Sequence, residues 1–283
     1  MQRTTRHRAT AIAAAAALAA TLLGLGLPSA SATHVNVTSV RGSASGYWAD
    51  NISLFGGPQP DTGPTPSVNL ASNASNSPQP AVAPSGKVQY GPAVLFTSDL
   101  IAVTTSGSLG TSGSVRSRSS IRNINKSVIQ STITGSEIFT ADSLSGIATA
   151  GEAGISGATT VTNGTVDTHS NYFNCTSVST PCGGHTHGGS NPAGTVAVPS
   201  SPPPNYKVAG HVHLSDTSTD YFVIVFNEHI TNPDGSITVN PVHEYYGATL
   251  DASGNIVRDA PYASGGSILQ GDLYLGQVVA GIA

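Results

Sequence analysis

The chain has 283 residues with a formal net charge of −4, and only 9% of its residues are charged. A mildly acidic chain lacks the positive field that nucleic acids require, so we expect no nucleic-acid partner. Hydrophobic residues make up 38% of the chain, enough for a folded core, which excludes a wholly disordered protein. Many apolar residues are β-branched and alternate with Ser and Thr, a pattern that favours sheet over helix.

Residues 1–32 have the features of a secretory signal peptide. Three arginines precede an apolar run from Ala9 to Leu27, and small residues at Ala30-Ser31-Ala32 follow it. The run is short and interrupted by glycines, which disfavours a membrane anchor, and no later segment is long and apolar enough to span a bilayer. We therefore expect cleavage after residue 32 and an extracellular, secreted product.

The remaining residues, 33–283, predict a single all-β extracellular domain. Two segments differ from the rest in composition. Residues 56–85 form a Pro/Ser-rich strap that is too polar for a core, and residues 168–205 form an irregular loop rich in Cys, His and Pro. After cleavage, 8 basic residues would remain against 15 acidic ones, a net charge of −7.

The strongest local signal is the sequence Asn232-Pro233-Asp234-Gly235, which predicts a type I turn with a glycine bulge. The turn joins two strands in a register that places His229 opposite Val239. Proline has no N–H to donate to a neighbouring strand, so we expect the second strand to lie at a sheet edge or to be bulged at Pro241.

These elements predict a two-layer antiparallel β-sandwich. The alternative is a β-solenoid, because the glycines spaced through residues 137–166 could allow that stretch to coil.

Five blocks of sequence resemble the choice-of-anchor P family, in the family's order and across most of the mature chain: GPTPSVNL (Gly63–Leu70), GKVQYGPAVLF (Gly86–Phe96), FTADSLSGIATAGEAGISGATTVTNG (Phe139–Gly164), VFNEHITNPDGSITVNPVH (Val225–His243) and GDLYLGQ (Gly271–Gln277). The resemblance implies a secreted or surface-displayed protein of a largely actinobacterial family. It implies no activity, because none is established for the family.

The family pattern has cysteines at the positions of Ala148 and Ala280. Loss of one cysteine alone would leave a reactive thiol outside the cell, so the resemblance implies that the two positions are neighbours that pair in other members. The chain ends soon after the last block with no sorting motif or apolar tail, and we expect a protein released without an anchor.

Cys175 and Cys182 are the only two cysteines. In an oxidising compartment the simplest prediction is a disulfide between them. The alternative is a Zn or Cu site that includes His185 and His187, although the spacing fits no standard zinc pattern. The second H-x-H pair, His211 and His213, could place two imidazoles on one face of a strand and so form half of such a site.

Signals for hydrolysis are weak. No nucleophile elbow is present, and of the four glutamates only Glu228 and Glu244 are predicted to share a face of the hairpin. Four residues of offset separate that pair by about 13 Å, too far for the two carboxylates of a glycosidase. We therefore expect no catalytic residues.

Basic residues at every second or fourth position, Arg116, Arg118, Arg122 and Lys126, predict a stripe along one strand that could bind a polyanion such as a cell-wall polymer. The expected function is a secreted structural or binding module of the cell envelope, whose partner is a cell-wall polymer or an extracellular protein. The alternative is a secreted metal-binding protein or hydrolase that uses the histidine-rich loop.

Expression in a secreting host should yield a 251-residue product that begins at Thr33. The reason is the small-residue cleavage sequence that ends at Ala32. Intact-mass measurement of the protein in the culture medium checks the boundary, and a mass that includes the first 32 residues would contradict it.

Overall fold

The computed structural model of the protein describes residues 36–73, 78–91, 93–125, 139–171, 195–213 and 219–283. In chain order its strands are β1 (Val40–Leu54), β2 (Gly57–Pro58), β3 (Thr62–Asn69), β4 (Gln79–Ala83), β5 (Gly86–Tyr90), β6 (Ala93–Ser98), β7 (Ile101–Ser108), β8 (Ser114–Asn125), β9 (Phe139–Gly151), β10 (Gly154–Thr162), β11 (Thr165–Asp167), β12 (His169–Asn171), β13 (Thr195–Ala197), β14 (Tyr206–His213), β15 (Thr219–Thr231), β16 (Ile237–Tyr246), β17 (Ala248–Leu250), β18 (Ile256–Arg258), β19 (Leu269–Leu275) and β20 (Val278–Ile282). A 3₁₀ turn spans Tyr262–Ser264.

The strands form two large sheets. The first has the order β12-β14-β15-β16-β19-β1-β2, with β20 beside β1 and β16 and with β3 beside β1. The second has the order β13-β11-β9-β8-β6-β5, with β10 beside β9, β7 beside β8 and β4 beside β7. Every pairing in the described ranges is antiparallel except that of β12 with β14. The all-β, sandwich-like prediction is therefore confirmed.

The β-solenoid alternative is wrong. A solenoid stacks its strands in parallel coils, whereas the glycine-spaced stretch forms the antiparallel hairpin β9–β10, in which Ile155 pairs with Ala150 and Thr162 with Ser143. The glycines serve turns and close packing instead of coiling. Gly154, at the hairpin turn, has a positive φ of 99°.

The core lies between the two sheets, because successive strand residues alternate between faces. Phe222 and Phe226 of β15 face inward from the first sheet, and Ile121 and Leu144 face inward from the second. Phe139 meets Phe226 edge to face, with ring centroids 5.2 Å apart. Each fully buried large side chain of this kind contributes about 2–3 kcal/mol to folding.

Small residues allow the two sheets to approach closely beside β1. A Cβ atom on Gly42 would lie 2.4 Å from the hydroxyl of Thr105, so no larger residue fits there. The hydroxyl of Ser117 donates to the carbonyl of Val279 in the opposite sheet (2.7 Å). Buried hydroxyls therefore bond to backbone of the facing layer, which satisfies both groups without water.

The Pro/Ser-rich strap of residues 56–85 contributes edge strands to both sheets. β3 pairs with β1 in the first sheet, and β4 pairs with β7 in the second. Pro64, Pro66 and Pro80 lie in these strands, and proline is tolerated at a sheet edge because an N–H there has no partner strand. The strap is thus a crossover between the layers that also protects their edges.

The loop predicted at residues 168–205 is partly regular. Its first residues form β12 in the first sheet, and residues 195–197 form β13 in the second. Val198 is buried, and Ser200 accepts a hydrogen bond from the N–H of Val161. Residues 172–194 lie outside the described ranges.

The register predicted for the 232–235 turn is confirmed. His229 pairs with Val239, and Asn232 bonds to Ser236 across the turn. The expectation of an edge position for Pro241 is wrong, because β16 is central, with β15 on one side and β19 and β20 on the other.

The structure accommodates Pro241 by interrupting the ladders, without inserting a residue. On the β15 side, pairing stops at Phe226–Val242 and resumes at Glu228–Asn240 in the same register. On the other side, β20 pairs through Val239 and β19 begins at Val242. The N–H that proline lacks is therefore not needed by either neighbour.

Ala148 and Ala280 are both fully buried in the core, on β9 and β20, which pack against each other. Ala148 pairs with Ser117, whose hydroxyl bonds to Val279, the residue before Ala280. The double variant Ala148→Cys/Ala280→Cys should therefore oxidise on secretion. The closed loop is long, so the oxidised form should be more stable than the reduced form by about 4 kcal/mol.

Thermal unfolding with and without reductant measures this gain, and each single cysteine variant is the control. Two thiols that remain reactive in the unfolded, non-reduced double variant would show that the positions are not neighbours.

Candidate functional site

Several residues predicted for the disulfide and the metal site lie outside the described ranges: Cys175, Cys182, His185 and His187. The disulfide and the loop half of the metal site therefore stay predictions. His211 and His213 lie on β14, and the parallel strand β12 places the backbone of His169 beside His211, which the sequence alone did not indicate. Within the described ranges no three His, Cys, Asp or Glu residues are grouped so as to hold a metal ion.

The basic stripe lies on the outer face of the second sheet. Arg116, Arg118 and Arg122 are exposed on β8, whereas Val115 and Ile121 of the same strand face the core. The period of two that predicted the stripe is thus confirmed for the three arginines. Lys126 lies outside the described ranges.

The stripe ends at Arg122, because the alternation of β8 changes phase at Asn123. Asn123 has a left-handed backbone with φ 48°, and Ile124, which the alternation would place outside, is buried. The Asn123 side chain donates to Asp99 (2.6 Å), which fixes the irregular backbone at this position of the strand.

The arginines stand on a surface of small side chains. The outward positions of β7, β9 and β10 beside them are mostly Ser, Thr and Ala, and two cross-strand hydroxyl pairs, at 2.7 and 2.9 Å, link β9 to β10. We call this surface the stripe face; it consists of Ala102, Thr104, Ser106, Arg116, Arg118, Ser120, Arg122, Ser143, Ser145, Ile147, Thr149, Ser156, Ala158, Thr160 and Thr162. No outward side chain of this set other than the arginines is long, so the guanidinium groups project from a nearly flat surface.

The three guanidinium groups have no ion pair or side-chain hydrogen bond with any residue in the described ranges. Within the described ranges their charge therefore faces solvent with no acidic partner, although the chain as a whole is acidic.

The outer face of the first sheet carries a second polar cluster, which the sequence did not predict. The imidazole of His243 lies between two carboxylates, with Nδ1 2.9 Å from Glu228 Oε2 and Nε2 2.9 Å from Asp272 Oδ1. Only 6% of the His243 side chain is exposed, against 12% and 13% for Glu228 and Asp272. We call these three residues the clasp, because they join β15, β16 and β19.

Aromatic rings enclose the imidazole. Tyr245 lies 3.8 Å and Tyr274 lies 4.0 Å from the His243 ring, measured between centroids, and Trp48 stacks on Tyr274 at 4.2 Å with an interplanar angle of 9°. The rings stack on one another across the strands, and Trp48, Tyr245 and Tyr274 are half-buried. The aromatic row therefore shields the clasp.

The hairpin β17–β18 (Ala248–Arg258) covers the neighbouring part of this face, over β15. It packs on Val223 and Val225 through Leu250 and Ile256. Arg258 at its end extends over the Tyr245 ring, 4.9 Å from the centroid. The same guanidinium donates to Asp272 (2.5 Å) and to two backbone carbonyls.

The clasp holds a charged imidazole. Burial by itself lowers the pKa of His243, but the hydrogen bonds and charges of Asp272 and Glu228 outweigh burial, and the pKa is raised above its ordinary value of 6.5. Burial likewise raises the pKa of Glu228, but His243, Asn240 and Tyr245 outweigh it and the pKa is lowered. Both shifts favour the ion pair.

The geometry leaves the imidazole no catalytic role as a base. Both ring nitrogens are engaged by carboxylates, so neither is free to accept a substrate proton or to ligate a metal. No serine, threonine or cysteine in the described ranges bonds to His243, which a nucleophile activated by it would require. The clasp is a structural ion-pair network.

Glu228 and Glu244, predicted to share a face, lie on opposite faces. Glu228 bonds to His243 on the outer face, and Glu244, next to His243 in β16, is buried on the core side with 2% exposure. The prediction failed because strand alternation changes phase at Asn227, whose φ is 52°. No pair of glycosidase type results from these two residues.

Comparison with known proteins gives no match: no protein family, curated protein or solved structure is similar enough to this chain to assign it. The resemblance to the choice-of-anchor P family therefore stays a prediction. None of the helical structure in the described ranges is long and apolar enough to cross a membrane.

Replacing His243 with Gln should lower the stability by about 3 kcal/mol near pH 6, because two carboxylates lose their buried cation. Because the pKa of His243 is raised in the folded state, its ion pairs contribute their full stability below pH 6.5, the ordinary pKa of histidine. This contribution is lost as pH rises through the folded pKa. The lowered pKa of Glu228 gives stability above its ordinary 4.5 that is lost as pH falls. The difference between wild type and variant should thus be largest between these two values.

Urea unfolding of both proteins from pH 4 to 9 measures this difference. His229→Gln is the matched control, because burial lowers the pKa of His229, so its contribution is lost as pH falls. A His243→Gln effect that is constant with pH, or that grows above pH 7, would show that the imidazole is neutral.

Proposed function

We propose that this chain is a secreted binding module of the cell envelope, which holds an extended polymer on its stripe face. The observation that carries the proposal is the contrast between the two outer faces. The stripe face is flat, made of small side chains, and bears three exposed cations that have no acidic partner within the described ranges. An accessible charged surface without internal partners is a surface suited to an external one.

The outer face of the first sheet is less suited to this role. The β17–β18 hairpin covers Val223 and Val225, and Arg258 and the aromatic row close over the clasp. The charges of the clasp and of Arg258 are paired with each other, so a ligand there would have to displace existing ion pairs.

The flat form of the stripe face favours an extended ligand over a small one. Small-molecule sites are concave and bury most of their ligand, whereas the stripe face presents parallel rows of side chains over four adjacent strands, β7, β8, β9 and β10. A chain molecule can contact many residues on such a surface with a small contribution from each. The predicted export of the chain and its resemblance to secreted envelope proteins support the envelope as the place where that ligand is found.

Substitution of Ser120 by Trp tests the proposal. Ser120 lies in the middle of the stripe face, between Arg118 and Arg122, and a bulky ring there should hold a polymer away from the guanidinium groups. Strand positions tolerate Trp, so the fold should be retained. We expect wild type to co-sediment with insoluble envelope material from the producing cells, and Ser120→Trp to bind at least about tenfold more weakly, a loss of about 1.4 kcal/mol.

Ser253→Trp is the matched control. Ser253 is exposed in the turn of the β17–β18 hairpin, away from the stripe face, and among the described residues its one hydrogen bond is from its backbone N–H to Asp251. Equal binding by Ser120→Trp and Ser253→Trp, or no binding of wild type, would contradict the proposal.

A further inference from the structure

We infer that the ligand of the stripe face is a linear polyol-phosphate polymer, a chain of short polyols joined by phosphodiesters, laid along β8. This inference rests on the proposed function and names its ligand class. It is carried by the spacing of the donors on β8 and by the kind of residues that surround them.

The local charge calls for an anionic partner. Arg116, Arg118 and Arg122 are exposed on one face, and none of them pairs with an acidic residue in the described ranges. Other exposed arginines of the structure do have such partners, since Arg41 pairs with Asp234 and Arg258 with Asp272. Charge on β8 is thus available to an outside anion at little desolvation cost.

The donors on β8 recur at a fixed step. Arg116, Arg118, Ser120 and Arg122 occupy successive outward positions, so a side chain with N–H or O–H donors follows every two residues, about every 7 Å. The strand keeps this step without a bulge from Val115 to Arg122, as its unbroken pairing with β9 shows. The row ends where Asn123 changes the alternation.

A phosphodiester of a three-carbon polyol matches that step. Its successive phosphorus atoms are separated by six backbone bonds, and an extended chain covers about 3.5 Å for every three such bonds, so the phosphates repeat at about 7 Å. One phosphate can then face each outward residue of β8. Guanidinium groups bind phosphate oxygens through two parallel N–H donors, and the hydroxyl of Ser120 supplies the third position of the row.

The flanking rows suit a ligand rich in hydroxyl groups. Most residues beside the donors of β8 carry hydroxyls, namely Thr104 and Ser106 on β7 and Ser143, Ser145 and Thr149 on β9; the exceptions are Ala102 and Ile147. Hydroxyls donate and accept, so they can bond to polyol oxygens on either side of the phosphate line.

A nucleic acid has a similar phosphate repeat but is disfavoured. Proteins that bind single strands without sequence preference stack the bases on aromatic side chains, and the stripe face contains no aromatic residue.

The test uses the full secreted protein and four probes: a glycerol-phosphate polymer of defined length, polygalacturonate, single-stranded DNA and neutral dextran. We expect the glycerol-phosphate polymer to bind at least tenfold more tightly than the other three. Its affinity should fall with salt, with a log–log slope of about −2, because each phosphate contact contributes about −0.7.

Arg118→Gln should weaken binding of the glycerol-phosphate polymer about tenfold and reduce the salt slope by about 0.7. Arg118→Lys keeps the charge but not the two parallel donors, so its affinity should lie between those of wild type and Arg118→Gln. Arg41→Gln, the same change in an exposed arginine on the first sheet, is the control and should bind as wild type. Unchanged thermal unfolding confirms that each variant is folded.

Envelope co-sedimentation with the same preparations separates the two claims. If wild type binds envelope material and Ser120→Trp does not, yet the glycerol-phosphate polymer fails to bind, the inference is wrong and the proposed function stands. Equal or tighter binding of polygalacturonate or DNA also overturns the inference. If wild type binds neither envelope material nor the glycerol-phosphate polymer, both the inference and the proposed function are wrong.

Discussion

Strand alternation, and the few asparagines that change its phase, determine which side chains reach each surface of this sandwich. In a regular strand every second residue faces the core. At Asn123 and Asn227 the backbone is left-handed, one cross-strand pair is missing, and the register continues unchanged on the other side. Asparagine adopts that conformation at lower cost than most residues, so a single position can exchange the two faces of a strand. Both outer surfaces depend on these exchanges.

The break at Asn227 has the larger effect. It turns Glu228 outward, and on the facing strand Pro241 and Val242 both point inward, so that His243 is outward beside Glu228. Without the exchange, a carboxylate of β15 would enter the core, where an unpaired charge costs several kcal/mol. Pro241, which lacks an N–H, and Asn227, which tolerates the left-handed backbone, lie opposite each other. A single irregular position therefore accommodates both residues.

Features that depend on only a few neighbouring residues could be predicted from the sequence. The residues of the Asn232–Gly235 turn determine the register of the β15–β16 hairpin, and the arginines of β8 share a face because their spacing is even. The clasp could not be predicted in this way. Asp272 reaches His243 across strands that are 29 residues apart in sequence, and their adjacency follows from the order of the sheet. The prediction that Glu228 and Glu244 share a face was wrong because no rule of alternation anticipates a phase change inside a strand.

The two outer faces differ in how their charges are used. On the first sheet, acids and bases are paired under a cover of rings and a hairpin, and the free energy of those pairs stabilises the fold. On the second sheet, the stability of the strands comes from the core and the ladder, since the exposed arginines contact no acid in the described ranges. Cations that contribute little to folding can be replaced without loss of structure. Their even spacing on β8 is therefore a feature that the fold itself does not require, and binding of a repeating anion is the physical role that this spacing fits.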